Sequence, residues 1–230
     1  MLCFDTYFPG YSDDNIKAQV EKSSEPATYA YATFKNELEG ALVARFGREA
    51  VTRGNKAFDI KANTYRVEAD VAPFFEHRRY TSTSQYHSGV QMLPDDFSPP
   101  IIRNWPEQHY ENGVRKNDGA GRRYKRVVRV LKALSNEMDG EGIESARHAA
   151  SFLIECVTWN TPNDCLVRPT YVSAVRATLA HLFNDTLSDG KCSEWGEVSE
   201  LKYLFHDSQP WTRLSAHEFI SDAWDYLGFE

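Results

Sequence analysis

The sequence predicts an α/β chain of the α+β kind, with a mixed lobe preceding a helical one, and three observations carry that prediction. Apolar residues over 27–46 recur at helical spacing, those over 65–71 alternate as in a strand, and beyond Gly121 helical patterning takes over. The two lobes are assigned to residues 1–105 and 106–230, because the composition changes around Asn104, Trp105 and Pro106.

Taken in order, residues 2–8 (Leu-Cys-Phe-Asp-Thr-Tyr-Phe) read as a strand running into a Pro9-Gly10 turn. Tyr31, Phe34, Leu38, Leu42 and Phe46 then lie three and four apart, which predicts a helix ending at Gly47 with one face on a sheet. Strands are predicted over 57–60 and 65–71. In the second, Tyr65, Val67, Ala69 and Val71 alternate with Arg66, Glu68 and Asp70, which sends the apolar set inward, and Pro73 closes it. Residues 81–100, rich in Ser, Thr, Pro and Asp, read as a loop or hairpin. Helices are predicted near 122–138, 143–159, 170–187, 197–205 and 213–227, separated by Gly, Pro and Asn clusters. Trp211, Phe219 and Trp224 fall at core positions, while Trp105 and His109 shape a Pro-containing loop.

Composition narrows the class. The 230 residues are 41% hydrophobic, with 13 Phe, 12 Tyr and 5 Trp, enough apolar surface to offset the ordering entropy of a folded protein. The four cysteines show no CxxC pairing, which favours reduced thiols in the cytoplasm over zinc or disulfides. No apolar run approaches the roughly 20 residues of a membrane span, and Met1-Leu2-Cys3-Phe4-Asp5 lacks the basic region of a signal peptide. Net charge is −7, yet residues 103–132 hold nine Lys/Arg against three Asp/Glu, +6, leaving 17 against 30, −13, elsewhere. A basic segment in an acidic chain suits the phosphates of a small ligand, and no specific DNA is expected as a partner.

Glu68 and Asp70, two apart on the predicted strand, share a face. Paired carboxylates suit Mg²⁺, which takes oxygen ligands in an octahedron and is commonly held by one or two carboxylates together with substrate phosphates. On the basic helix, Lys125, Arg129 and Lys132 sit four and three apart and so share a face that can meet a triphosphate.

Several segments resemble the cGAS/DncV-like nucleotidyltransferases in order and spacing. They are Asn55-Lys56-Ala57-Phe58 leading into Tyr65-Arg66-Val67-Glu68-Ala69-Asp70-Val71-Ala72-Pro73, and Ile102-Arg103-Asn104-Trp105-Pro106-Glu107-Gln108-His109-Tyr110-Glu111-Asn112-Gly113-Val114-Arg115-Lys116-Asn117. Tyr124-Lys125-Arg126-Val127-Val128-Arg129-Val130-Leu131-Lys132, Ser151-Phe152-Leu153-Ile154-Glu155-Cys156 and Phe219-Ile220-Ser221-Asp222-Ala223-Trp224 continue the likeness.

The resemblance implies a polymerase-β-like palm followed by a helical lobe, with Asp70 matching the third acidic residue of the palm's metal site. The family's Gly-Ser turn and paired acids belong upstream of the strand that opens here at Leu2, so the palm reads as truncated and little activity is expected of the chain as given. The implied chemistry is attack of a ribose hydroxyl on an α-phosphate, with Mg²⁺ or Mn²⁺ held at Asp70 and Glu68 and two ions about 4 Å apart clamping the attacking and leaving oxygens. Lys132 and Ser151 match positions that contact donor phosphates, Lys125 joins them, and Lys116 and Asn117 line the acceptor's base pocket. The implied product is a cyclic di- or oligonucleotide second messenger of antiphage defence, made from ATP and other ribonucleoside triphosphates under a regulatory protein partner. The alternative is a catalytically dead nucleotide-binding or protein-interaction module. No GxSxG, HExxH, Walker A or Rossmann glycine pattern supports a hydrolase or dehydrogenase.

Overall fold

The computed structural model describes residues 2–6, 14–23, 28–98, 101–207 and 209–230. The Pro9-Gly10 turn lies outside them. Backbone contacts divide the chain into Met1–Pro106 and Glu107–Glu230.

The first unit opens with β1 (Leu2–Thr6), α1 (Asp14–Lys22) and α2 (Tyr31–Phe46). After a 3₁₀ turn at Arg48–Ala50 come β2 (Val51–Arg53), β3 (Phe58–Ile60), β4 (Ala69–Val71), β5 (Phe75–Tyr80), β6 (Tyr86–Met92) and β7 (Ile102–Asn104). The strands form two small sheets, one ordered β1-β5-β6-β7 and one β2-β3-β4. β1 runs parallel to β5 with Leu2 opposite Glu76, and the other pairings are antiparallel. Helix α2 serves both sheets with one apolar stripe. Tyr31 and Phe34 pack with Phe75 and Met92, whereas Leu38, Leu42 and Phe46 cover Val51, Phe58 and Ile60. The helix stops where Gly47 turns to φ 84°, as its glycine signals.

Two strand readings change. The alternation over 65–71 is a strand only at Ala69–Val71; Tyr65, 96% exposed, lies in a turn closed by a bridge between Asn63 and Arg66, and Val67, 80% exposed, follows in irregular backbone. Local polar groups outcompete the ladder there. Asn63 Oδ1 accepts from the Tyr65 N–H, and Arg66 donates twice to the Lys61 carbonyl while stacking 4.9 Å from the Phe46 ring centroid. Conversely β5, Phe-Glu-His-Arg-Arg-Tyr, is a strand that its charges conceal. It forms a hairpin with β6, within the stretch after Thr81 that reads as loop or hairpin.

The second unit continues α3 (Pro106–Gly119) and adds α4 (Tyr124–Gly140), α5 (Glu144–His148), α6 (Ser151–Trp159), α7 (Asn163–Leu166), α8 (Tyr171–Thr186), α9 (Asp189–Cys192) and α10 (Arg213–Tyr226). One cluster, including Tyr124, Leu131, Leu153, Leu179 and Phe219, forms its core, with Trp211 and Trp224 packed against it. The predicted helix over 143–159 breaks at Ala149 and Ala150, whose ψ angles of 84° and 138° leave the helical region and make Ser151 the first residue of a new helix. Residues 197–205 form no helix. Gly196 bridges Tyr203, Glu200 adopts φ 60°, and Val198 and Leu204 reach the core from a turn whose apolar spacing imitates a helix. Trp105 is buried as expected, but His109 lies in α3 rather than in a loop, with Pro106 at the helix start where its missing N–H costs nothing. Asn112 and Gly113 are likewise helical, and Asn112 Nδ2 donates to the Val198 carbonyl at 2.9 Å.

Candidate functional site

In the first unit, Asp70 is the middle residue of β4, and the register sets it directly opposite Asp59 of β3. Residues opposite one another project from the same face. Phe58 and Ile60 fill the core side with Val71 packed on them, so Asp59 and Asp70 occupy the other, exposed side. Glu68 precedes the strand and is exposed, while Val67 and Ala69 are exposed rather than inward. The register thus puts Asp59 on the Asp70 face, while Glu68 lies outside the paired strand. Asp59 was legible as the polar centre of Phe-Asp-Ile, but its pairing with Asp70 depends on register.

Oxygen donors of this kind suit Mg²⁺ or Mn²⁺. Asp59 and Asp70 would be the residues to hold such an ion, which would offset the charge of substrate phosphates. Among the described residues no group of three or more His, Cys, Asp or Glu is disposed to hold a metal.

In the second unit, α3 turns into α4 through Gly121 and Arg122 at φ 55° and 63°. Arg123, at the start of α4, provides no side-chain cap, and Asn117 Oδ1 accepts from the Lys125 N–H at 3.1 Å instead. Asn117 is thus committed to fixing the helix start. Lys125 Nζ lies 5.6 Å from the Tyr110 ring centroid, Arg129 is exposed, and Lys116 donates from Nζ to the Thr161 carbonyl at 2.6 Å, burial pushing its pKa down.

Lys132 has a specific partner: its Nζ lies 2.8 Å from Glu155 Oε2. The other carboxylate oxygen, Oε1, accepts from His109 Nε2 at 3.2 Å, and the His109 ring stacks on Phe152 at 5.6 Å. These two bonds, His109 first and Lys132 next, outweigh burial and hold the Glu155 carboxyl down at about 2. Ser151 is exposed at the first position of α6, which has no side-chain cap, and Glu155 follows four residues later on the same face. The structure therefore brings Lys132 to the Ser151 face of α6 through Glu155. Neither Glu155 nor His109 was expected at the site; the only signal was the i,i+4 relation of Ser151 to Glu155.

An α/β unit that displays a strand carboxylate, followed by a helical unit, is the fold class of the nucleotidyltransferases that the chain matches. Residues 111–228 match the C-terminal helical domain of the cGAS/DncV-like nucleotidyltransferases. The chain is 37% identical to the cyclic dipyrimidine nucleotide synthase of Cecembia lonarensis over 203 residues, 88% of this chain and 68% of that protein. It is 39% identical to the cyclic dipyrimidine nucleotide synthase of Legionella pneumophila, covering 87% of this chain and 67% of that one. The structure is similar to that of the Elizabethkingia meningoseptica cyclic dinucleotide synthase solved with GTP and Apcpp, with a TM-score of 0.79 and 32% identity over 89% of this chain and 73% of that chain. The chain belongs to the cGAS/DncV-like nucleotidyltransferase family.

Proposed function

We propose that this chain serves a cytoplasmic bacterial synthase that joins ATP and other ribonucleoside triphosphates into a cyclic di- or oligonucleotide second messenger of antiphage defence. A regulatory protein partner belongs to the same reading. The observation that carries it is Lys132, held by Glu155 on the Ser151 face of an uncapped helix. An ammonium, a hydroxyl and open backbone N–H groups at one helix start are what a polyphosphate tail needs.

Asp70, with Asp59 opposite, would hold Mg²⁺ or Mn²⁺. When bound, the ion lowers the pKa of the attacking ribose hydroxyl and offsets charge on the phosphates. In this reading Lys132 and Ser151 of the second unit orient a triphosphate and Lys125 adds positive potential, and the proton of the attacking hydroxyl goes to the carboxylate of Asp70. The Asn117 amide, its oxygen on the Lys125 N–H, has its nitrogen for a base edge.

The test is incubation of the purified protein with ATP, GTP, CTP and UTP plus Mg²⁺ or Mn²⁺, with products resolved by chromatography and pyrophosphate measured. Asp70→Ala is expected to cut product formation about a hundredfold or more. An Asp70→Ala protein as active as its parent overturns the role given to that carboxylate. Triphosphate binding with no pyrophosphate release would mark a nucleotide-binding module instead.

A further inference from the structure

Helix α4 is charged in the opposite sense to its own dipole. From Arg122 to Lys132 the chain holds six Lys/Arg and no acid, and from Ala133 to Glu144 it holds four acids and no Lys/Arg. The first turn of α4 has no acidic residue and its last turn no basic one. A helix favours the reverse, negative charge at its N-terminus and positive at its C-terminus, so these charges cost α4 stability. Among the described residues no ion pair includes Arg123, Arg126, Glu137 or Glu141. Tyrosines hold them instead. Arg126 Nη1 donates to the Tyr171 hydroxyl at 2.6 Å with Arg123 4.6 Å from the same ring centroid, and the Tyr226 hydroxyl donates to Glu137 Oε1 at 3.0 Å.

At about 3.6 residues per turn, Arg126, Val130, Ala133 and Glu137 fall within about 60° of one another on α4. Their spacings of four, three and four are those of a coiled-coil seam. Arg126, Ala133 and Glu137 are exposed, and Val130 is 40% exposed. Leu131, Leu134 and Met138 face the core, and Lys125, Arg129 and Lys132 occupy a third side, so the stripe is separate from the phosphate face. Val130 and Ala133 each lie four residues inward from a charged end. The stripe is therefore its own complement when reversed: Arg126 opposite Glu137 sets Val130 opposite Ala133, a branched side chain against a small one. A nucleic acid, or any partner of a single charge sign, meets one attracting end and one repelling end. A second copy running antiparallel satisfies both ends at once.

We infer that this stripe of α4 is a docking surface for a second copy of the chain, paired antiparallel about a two-fold axis between residues 131 and 132. Arg126 of one protomer meets Glu137 of its partner, twice over by symmetry. Val130 packs on Ala133 at the centre, and Arg123 and Glu141 extend the charge match at the rims. A two-fold contact closes on itself and stops at a dimer. Tyr171 and Tyr226 hold the guanidinium and the carboxylate in place beforehand, which lowers the ordering cost of association. With exposed ion pairs at both ends of the seam, the association weakens as salt rises.

The test is sedimentation equilibrium of the purified chain at about 100 μM, in low salt and in about 0.5 M salt. The parent is expected to be mostly dimeric at low salt and to associate about tenfold more weakly at the higher. Arg126→Glu and Glu137→Arg are each expected to be monomeric, because each sets like charges opposite one another at both ends, while Tyr171 and Tyr226 keep hydrogen-bonding partners. An equimolar mixture of these two single variants is expected to dimerise again, since both pairs return with reversed sign; a variant that fails to fold is not rescued in this way. Ala133→Arg, at an exposed helical position, is expected to block association with its circular dichroism unchanged. A parent that stays monomeric overturns the inference. So do a dimer that persists in Arg126→Glu or Ala133→Arg, a mixture that stays monomeric, and assemblies larger than the dimer.

Discussion

The two units are held by different forces. The second has one broad apolar cluster, in which Tyr124, Leu166, Leu179 and Val198 are fully buried. Among its described residues the first has two small clusters of three buried residues each, with Val20 and Trp105 buried outside them, and ties them with polar pins. Lys35, 0% exposed in the middle of α2, donates to the carbonyls of Gly54 and Asn55 and pairs with Asp95 at 2.9 Å. Arg53, and Lys35 after it, hold Asp95 below the usual carboxylate range. A unit with so little core depends on directional bonds, and so has more to lose from one substitution. It is also the unit whose strands display Asp70.

Lys35→Met tests that dependence with the largest expected effect. The methionine fills the space but leaves the Gly54 carbonyl without its donor, whereas the Asn55 carbonyl keeps the Asp95 N–H and Asp95 keeps Arg53, and a loss of about 3–4 kcal/mol is expected, confined to the first unit. Hydrogen exchange should quicken in β2, β3 and β4 and stay unchanged in α8. Equal acceleration in both units would mean that they unfold as one. The matching probe of the second unit is Leu179→Ala, which removes a fully buried side chain from the broad core. About 3 kcal/mol is expected, read by chemical denaturation, with exchange quickening in α8 and α10 rather than in the sheets.

The same contrast governs what could be read from the chain. Where burial makes a periodic stripe, as in α4, α8 and α10, spacing alone predicts the element. Where polar side chains decide, spacing misleads: Asn63 and Arg66 turn an alternating stretch into a bend, and Phe75, His77 and Arg79 make a strand of a run that looks solvated. Sequence singled out Asp70 and Lys132 as candidates for the chemistry. It concealed their companions, because Asp59 reaches Asp70 through strand register, and Glu155 reaches Lys132 across 23 residues by the packing of α6 on α4. The break at Ala149 and Ala150, which gives Ser151 its helix start, has no Gly or Pro to announce it.

Acid sharpens the comparison with a smaller effect at the site itself. Glu155 has its carboxyl held at about 2 in the folded chain, against about 4.5 when free of partners. Folding therefore favours the ionised form, and the stabilisation is complete above about pH 4.5 and lost progressively as pH falls towards about 2. For a side chain about one-quarter exposed, solvent screening reduces the contribution to about 2 kcal/mol. Glu155→Gln cannot titrate, so its stability gap below the parent should narrow by that amount across the same window. Urea unfolding at fixed ionic strength, with exchange followed in α6, measures the gap. Lys35 and Arg53 make Asp95 acid-sensitive in the first unit too, but that contribution is common to parent and variant and drops out of the difference. A gap that stays constant from pH 5 to pH 2.5 would mean that Glu155 gains no folded-state stabilisation from His109 and Lys132, and that the cluster is a solvated surface contact instead of a fixed site.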